Sequence, residues 1–182
     1  KFAVRSGILE FRDRHRGERG WTLNVISFSL TRIIYPPDPE EALPAAIYLS
    51  AVVPGPQEGK VLILGRFNPF ASKKSFDVTA SVKSLPFGQY SAFSPDFPLS
   101  FTEGTLQLKV KALCHDNQVE LLHHVHMDKI KLVEQEPPGP SPLVFGHPLE
   151  TVVHFFEGLR SSEKSLEFDF RVTGDLEDPN FR

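Results

Sequence analysis

Strict alternation of apolar and polar side chains constrains the fold of this chain more than any other feature of its sequence. In the C-terminal segment the apolar residues occupy every second position: Leu166, Phe168, Phe170 and Val172. Successive side chains of a β-strand point to opposite faces, so this segment predicts a strand with one apolar and one charged face. Further strands are predicted over residues 7–13, 21–30, 46–53, 60–67, 76–83, 106–112 and 119–132. Hardly any helix is predicted that could cover the apolar face, so something else must cover it.

The connections between these strands are predicted from turn residues and from breaks in the alternation. A hairpin joins 46–53 to 60–67, and His115-Asp116-Asn117 makes a tight turn. The alternation changes phase after Val25 and near Asp128, which predicts a β-bulge at each place. The proline-rich segments 35–44 and 134–142 are predicted to be a loop and a semi-rigid connector.

One amphipathic helix is predicted near the C-terminus, over residues 148–160. Pro148 suits the first turn of a helix, and Glu150 and Arg160 suit the two ends of its dipole. Its apolar stripe consists of Leu149, Val152, Val153, Phe156 and Leu159. We interpret this helix as a cover for part of the apolar sheet face.

Composition narrows the classes of function. The net charge is −3 and the cations are dispersed, which argues against nucleic-acid binding because that needs a basic stripe. The single Cys114 leaves no internal disulfide, zinc cluster or redox pair among cysteines. Sixteen Phe against three Tyr and one Trp favour a surface that stays dry or meets hydrocarbon. An ordinary β core that uses Phe often is the alternative.

The length of 182 residues fits a single domain, 1–182. No stretch approaches the ~18 uninterrupted apolar residues that a membrane-spanning helix needs. Because the sequence begins at Lys1, we expect either a processed form or a piece of a longer protein whose membrane anchor lies outside it.

Candidate catalytic and metal-binding residues give weak patterns. His124, His126 and Asp128 share one strand face and could bind zinc if His115 or His147 supplied another ligand. A polar strand face that merely uses imidazoles is the favoured alternative.

The remaining patterns also favour structural explanations. Glu167 and Asp169 pair two carboxylates with nothing nearby to raise the pKa of either, unlike a glycosidase pair. Cys114 and His115 point to opposite faces, as neighbours on a strand do. We therefore predict no enzyme, no catalytic residue, no metal and no cofactor.

A cluster of cations lies in the predicted turn after the first strand. Its members are Arg12, Arg14, Arg16 and Arg19, beside His15. Attraction to anionic lipid headgroups is one interpretation, because each cation near such a surface contributes ~1 kcal/mol. A solvated hairpin tip, whose charge is reduced by Asp13 and Glu18, is the favoured alternative.

Three segments carry a resemblance to a known family. Ser94-Pro95 precedes the strand 101–108 with its Gly-x-Leu run, the segment 117–132 returns as a strand, and residues 170–181 end in Gly-x-Leu-x-Asp-Pro-x-Phe. In this order they resemble the AsmA-like superfamily, in particular its bacterial branch catalogued as a domain of unknown function. Residues 7–30 resemble the opening hairpin of that branch. Together these segments cover about two thirds of the chain.

The resemblance implies a fold and a function. The implied fold is a curved antiparallel sheet that forms a β-taco-like trough with an apolar lining. Members of the superfamily are similar to bridge-like lipid carriers of the Gram-negative envelope, anchored in the inner membrane and reaching into the periplasm. We therefore expect non-enzymatic binding or transport of phospholipid or another amphiphile, at a membrane surface or with envelope proteins. The predicted lipid-binding residues are Phe11, Phe28, Phe76, Leu106, Leu108, Phe156, Phe168 and Phe170.

Two other interpretations stay open. In the first, the protein's own side chains fill the apolar face and the domain is a structural module that assembles through its sheet edges. In the second, the sheet closes into a barrel that holds one small ligand.

Overall fold

The computed structural model describes residues 1–13, 19–35, 41–55, 57–86, 99–134, 143–144, 147–148, 151, 154 and 165–177. Ten strands lie in these ranges. They are β1 (Phe2–Asp13), β2 (Arg19–Thr31), β3 (Ala45–Val53), β4 (Gly59–Phe67), β5 (Phe76–Pro86), β6 (Leu99–His115), β7 (Gln118–Glu134), β8 (Leu143–Val144), β9 (His147–Pro148) and β10 (Ser165–Asp175). The predicted mainly β class is confirmed.

Eight of the strands form one open antiparallel sheet in the order β1-β2-β3-β4-β5-β6-β7-β10. The first seven follow one another as a meander, which alternating segments joined by short turns favour. β10 then pairs with β7 and becomes the edge strand opposite β1. β8 and β9 form a separate two-stranded ladder.

Both predicted bulges are confirmed. The pairing of β2 with β3 shifts by one residue between Val25 and Ser27, which leaves Ile26 as the extra residue. The pairing of β6 with β7 shifts where Asp128 and Lys131 face Thr105 and Glu103, and Lys129 lies between them with a φ of 53°. Each bulge returns the apolar residues that follow to the same face of the sheet.

The predicted hairpins are confirmed as well. β3 pairs with β4 from Ala45–Phe67 to Val53–Gly59. β6 and β7 are joined by the two-residue turn Asp116–Asn117, whose φ angles of 50° and 70° are both positive. Asn and Asp tolerate these angles better than other non-glycine residues, and two such residues in succession match the twist of the flanking strands.

One face of the sheet carries the core. Successive cross-strand partners share a face, and the register places every buried apolar residue on the same one: Leu23, Ala45, Ala51, Val53, Cys114, Val119, Val125 and Met127. We call it the apolar face and the opposite one the polar face. Leu23, Ala51 and Val53 form the centre of the core, against which Leu49, Val61 and Leu85 pack.

Gly65 marks a close approach of β4 and β5 on the apolar face. A Cβ atom there would lie 2.6 Å from Val78 Cγ2, 2.7 Å from the Asp77 carbonyl oxygen and 2.9 Å from Val78 Cα. Directly opposed Cβ atoms in an antiparallel pair are ordinarily about 4.5–5.5 Å apart. Glycine is therefore the residue that permits the two strands to come together here.

The predicted helix over 148–160 falls mostly outside the described residues. Of this segment, the structure describes Pro148, Thr151 and His154. Pro148 pairs with Leu143 in β9, which corrects the prediction that it begins a helix, since proline's fixed φ also suits the end of a short strand. The connector also begins later than predicted, because Glu134 is the last residue of β7. Within the described ranges there is no helix of the length and apolar character needed to cross a membrane.

Candidate functional site

The apolar face is continuous across all eight strands. One row of cross-strand partners consists of Gly7, Val25, Ala51, Val61, Val82, Leu108, Val125 and Phe168. The adjacent row consists of Val4, Phe28, Leu49, Ile63, Ala80, Val110, His123 and Phe170. With strands about 4.8 Å apart, seven spacings give a face roughly 34 Å wide.

Six of the eight predicted lipid-binding residues lie on this face. Phe28 and Phe170 belong to one row, near opposite edges of the sheet. Leu108 and Phe168 belong to the next row, separated only by Val125. Leu106 pairs with Met127, which in turn pairs with Leu166. Phe76 pairs with Phe67 and Cys114 at the end of the sheet nearest the β6–β7 turn.

The other two predicted residues cannot be compared in the same way. Phe11 pairs with Trp21 through the backbones of β1 and β2, but its side chain lies outside the described part of the structure. Phe156 and the rest of its helical stripe also lie outside the described residues. Of the arginine cluster, Arg12 and Arg19 belong to β1 and β2 but their side chains lie outside the described part of the structure, and Arg14, His15 and Arg16 lie outside the described residues.

Large apolar side chains on this face are exposed at both edges of the sheet. Phe2 and Leu9 on β1, and Phe168 and Phe170 on β10, are all exposed. Phe2 packs edge-on against Phe28, with ring centroids 6.0 Å apart. Among the described strands, every substantial contact joins neighbours within a sheet, so no second layer of described structure covers the apolar face. An exposed apolar surface this wide is typical of a binding surface.

His123 is the only polar residue in the two rows. Its ring stacks on Phe170 with centroids 4.2 Å apart and planes 2° from parallel. Nδ1 of His123 is buried and has no hydrogen-bond partner. A buried nitrogen without a hydrogen-bond partner lowers the stability of the folded protein by about 1–3 kcal/mol. The apolar surroundings of the His123 ring therefore destabilise the fold by an amount of that order.

The polar face carries histidines paired with carboxylates between β7 and β10. His124 Nδ1 lies 2.8 Å from Asp169 Oδ1, and His124 Nε2 lies 3.7 Å from Glu167 Oε1. His126 Nδ1 lies 3.5 Å from Glu167 Oε2. The sequence places these residues on one face, and the register adds that the two carboxylates face the two imidazoles.

These two histidines are the candidate zinc ligands that the sequence indicated. No group of three His, Cys, Asp or Glu side chains in the described part of the chain has the geometry to hold a metal ion. His115, a potential third ligand, is 88% exposed and lies beside Asp116 at the β6–β7 turn, at the far end of β7 from Asp128. The pairs of His124 and His126 with Asp169 and Glu167 connect β10 to its neighbour β7 on the polar face.

Cys114 is structural. It is buried on the apolar face, and its thiol donates a hydrogen bond to the Lys74 carbonyl oxygen at 3.1 Å. Burial raises the pKa of the Cys114 thiol, with smaller contributions from the carboxylates of Asp175 and Asp116. A raised pKa disfavours the thiolate, which is the nucleophilic form. Together with the exposed position of His115, this agrees with the prediction that the two do not act as a nucleophile pair.

Asn117 joins three parts of the chain at one end of the sheet. Its side-chain oxygen accepts a hydrogen bond from the Lys74 backbone N–H at 2.6 Å, and its Nδ2 donates to Glu177 Oε1 at 2.7 Å. Its backbone N–H donates to the Lys74 carbonyl at 3.0 Å, and its carbonyl accepts from the Leu176 N–H at 3.0 Å. Gln118 adds a bond to the Asp175 carboxylate.

The role of Asn117 was missed from the sequence. The His115-Asp116-Asn117 turn could be recognised, but Lys74 and Glu177 are 43 and 60 residues away, and no local pattern connects them. Asn117 is the only buried polar residue among the described residues, and its burial with this many partners indicates that it stabilises the turn.

Comparison of the chain with family models, with curated proteins and with solved structures finds no match in any of the three.

Proposed function

We propose that this protein binds and passes on phospholipid or another amphiphile, without catalysis, along a trough lined by its apolar face. The observation that carries this proposal is a continuous apolar surface across eight strands over which no described element lies. In keeping with the resemblance of its sequence to the AsmA-like superfamily, we propose that it acts in the periplasm of a Gram-negative envelope, held at the inner membrane by a segment outside this sequence.

The burial pattern of the sheet supports a trough. In β4 the residues on the apolar face are buried or half-buried, whereas those on the polar face, including Leu62 and Leu64, are exposed. A flat single layer would expose similar side chains equally on both faces. The close approach of β4 and β5 at Gly65 occurs on the apolar face as well. Both observations support a sheet that curls toward its apolar face.

The chemistry of the lining supports hydrocarbon as the ligand. The residues that contribute most binding energy in protein–protein interfaces are enriched in Tyr, Trp and Arg, which combine apolar area with a polar group. The two central rows contain Phe and aliphatic residues, with His123 as the single exception. Each CH₂ group that leaves water contributes about 0.8 kcal/mol, so half of one acyl chain supplies several kcal/mol without specific polar contacts.

One rival receives some support. The cluster of Leu23, Ala51 and Val53 with its neighbours fills part of the apolar face near β2 to β5 with the protein's own side chains. A structural module would extend such filling over the whole face. A closed barrel would need β1 to pair with β10, whereas these strands are opposite edges of an open sheet in the described residues.

Extraction of the purified protein with organic solvent, followed by mass spectrometry, distinguishes these functions. Co-purified phospholipid in near-stoichiometric amount is the expected result. An extract free of lipid, from protein expressed in a Gram-negative host and purified without detergent, would contradict the carrier and favour the structural module. One defined small molecule would favour a specific ligand-binding protein.

A matched pair of variants tests whether the apolar face is the lipid site. Phe168 is 40% exposed on the apolar face, and Leu64 is 44% exposed on the polar face. An aspartate in contact with an acyl chain costs about 2 kcal/mol, which corresponds to a roughly thirtyfold loss of affinity. We therefore expect Phe168→Asp to lose bound lipid and Leu64→Asp to retain it. Melting curves check that both variants are folded, and equal lipid content in two folded variants would exclude Phe168 from the site.

A further inference from the structure

Both edges of the sheet are long strands that have no described strand beside them. β1 has 12 residues and β10 has 11. Neither contains a lysine or a proline, and the described charged side chains of both strands (residues 2–10 of β1 and all of β10) lie on the polar face. Natural proteins commonly protect exposed edges with such residues or with short strands, because unpaired backbone groups recruit other chains.

The two edges fit each other in direction and in side-chain size. β1 and β10 run antiparallel in the eight-stranded order, so β10 of one molecule can continue the meander into β1 of another. If the rows continue straight, Phe168 meets Gly7 and Phe170 meets Val4. Glycine leaves room for a cross-strand aromatic ring, and such pairs stabilise sheets.

The polar face is complementary in the same register. The row between these two consists of Arg5, Ser27, Ser50, Leu62, Ser81, Lys109, His124 and Asp169. Straight continuation therefore sets the exposed Arg5 of one molecule directly against the exposed Asp169 of the next. A shift by one residue would instead move the apolar residues of β1 onto the polar face, so this register is the favoured one.

We propose that a second copy of this chain docks its β1 on β10 of the first, head to tail, and extends the sheet. This contact is heterologous, because it uses two different edges, and each added copy leaves one edge of each kind free. The assembly is therefore an open row whose apolar face continues from one molecule to the next. The proposal concerns the edges alone and does not depend on what the apolar face binds.

A charge-swap experiment with the full chain tests both the contact and its register. Sedimentation velocity should show association of the wild-type protein that increases with concentration. Arg5→Asp and Asp169→Arg each set like charges against each other at the contact, and we expect each to weaken self-association by about tenfold. Mixing the two variants in equal amounts restores an opposite-charge pair at every contact, so the mixture should associate like the wild type.

The mixing step separates a specific contact from general loss of structure. A variant that simply misfolds would not be rescued by the other variant, and circular dichroism measures folding directly. Lys111→Asp, on the interior strand β6, is the control and should leave association unchanged. A wild-type protein that stays monomeric at the highest soluble concentration overturns the proposal. Association that the charge swap does not affect overturns the register and with it the proposed edge contact.

Discussion

Replacement of Gly65 by alanine should destabilise the sheet through its backbone. The added Cβ would lie within 3 Å of three atoms of β5, and two of them, the Asp77 carbonyl oxygen and Val78 Cα, belong to the main chain. Inserting a methyl group into packed structure costs about 1–3 kcal/mol. Because main-chain atoms can move only if the paired strands separate, we expect about 2–3 kcal/mol, the upper part of that range.

Thermal unfolding followed by circular dichroism measures this cost. For a chain of this length, 1 kcal/mol lowers Tm by about 2–4 °C, so Gly65→Ala should lower Tm by about 4–12 °C. Gly7→Ala is the control on the same face, because the nearest atom to a Cβ added there is a side-chain atom, Val4 Cγ1, at 3.3 Å. We expect that change to stay within about 0.5 kcal/mol of the wild type.

A second substitution identifies which atoms resist the new methyl group. Val78→Ala removes Cγ2, the side-chain atom 2.6 Å from the added Cβ, but leaves both main-chain atoms in place. In the Val78→Ala background, Gly65→Ala should therefore retain more than half of its effect. Two results would contradict this reasoning: equal Tm values for Gly65→Ala and Gly7→Ala, or no decrease in Tm when Gly65→Ala is added to Val78→Ala. Either result would mean that the main chains of β4 and β5 are not in close contact, and Gly65 would no longer support a curled sheet.

Two further predictions concern the end of the sheet near Asn117. Asn117→Ala removes two side-chain hydrogen bonds and puts alanine at a φ of 70°, so it should lower stability by about 2–3 kcal/mol. Asn117→Gly loses the same bonds without the cost of the positive φ and should lower stability less; if urea unfolding shows Asn117→Gly to be as stable as the wild type, the side-chain bonds do not stabilise the turn. Because burial raises the pKa of Cys114, iodoacetamide at mildly alkaline pH should modify the native protein far more slowly than the urea-unfolded protein, as peptide mass spectrometry would detect; equal rates would mean an accessible thiol.

Alternation alone predicted most of the strands. A sheet with one buried face requires an apolar residue at every second position, and this period of two can be recognised in the sequence. The predicted strands were too short where the alternation is interrupted. β1 begins at Phe2 instead of Gly7, because Ser6 has a φ of 59° and interrupts the alternation. β6 begins at Leu99, upstream of Gly104, whose φ is 110°.

The candidate site could be predicted as a face but not as an arrangement. That Phe28 and Phe170 share a face follows from their positions in their own strands, but that they share a row depends on the register of five intervening strands. Bulges set that register, and the one in β5, where Ser84 has a φ of 56°, is followed by a single apolar residue, Leu85, before Pro86, which is too short a run to predict a bulge. Contacts such as Asn117 with Glu177 were beyond prediction because they join distant loops.

The nearest-neighbour order of the first seven strands also determines how the chain can acquire its structure. Each hairpin from β1 to β7 closes a loop of at most 13 residues, so these pairings need less entropy of closure than a more distant pairing and can form in sequence as the chain emerges from the ribosome. β10 is the exception, since about thirty residues separate it from its partner β7. We therefore expect β10 to be the last strand to join, and until it does, β7 is a temporary edge whose Val125 and Met127 are open to the wrong partner.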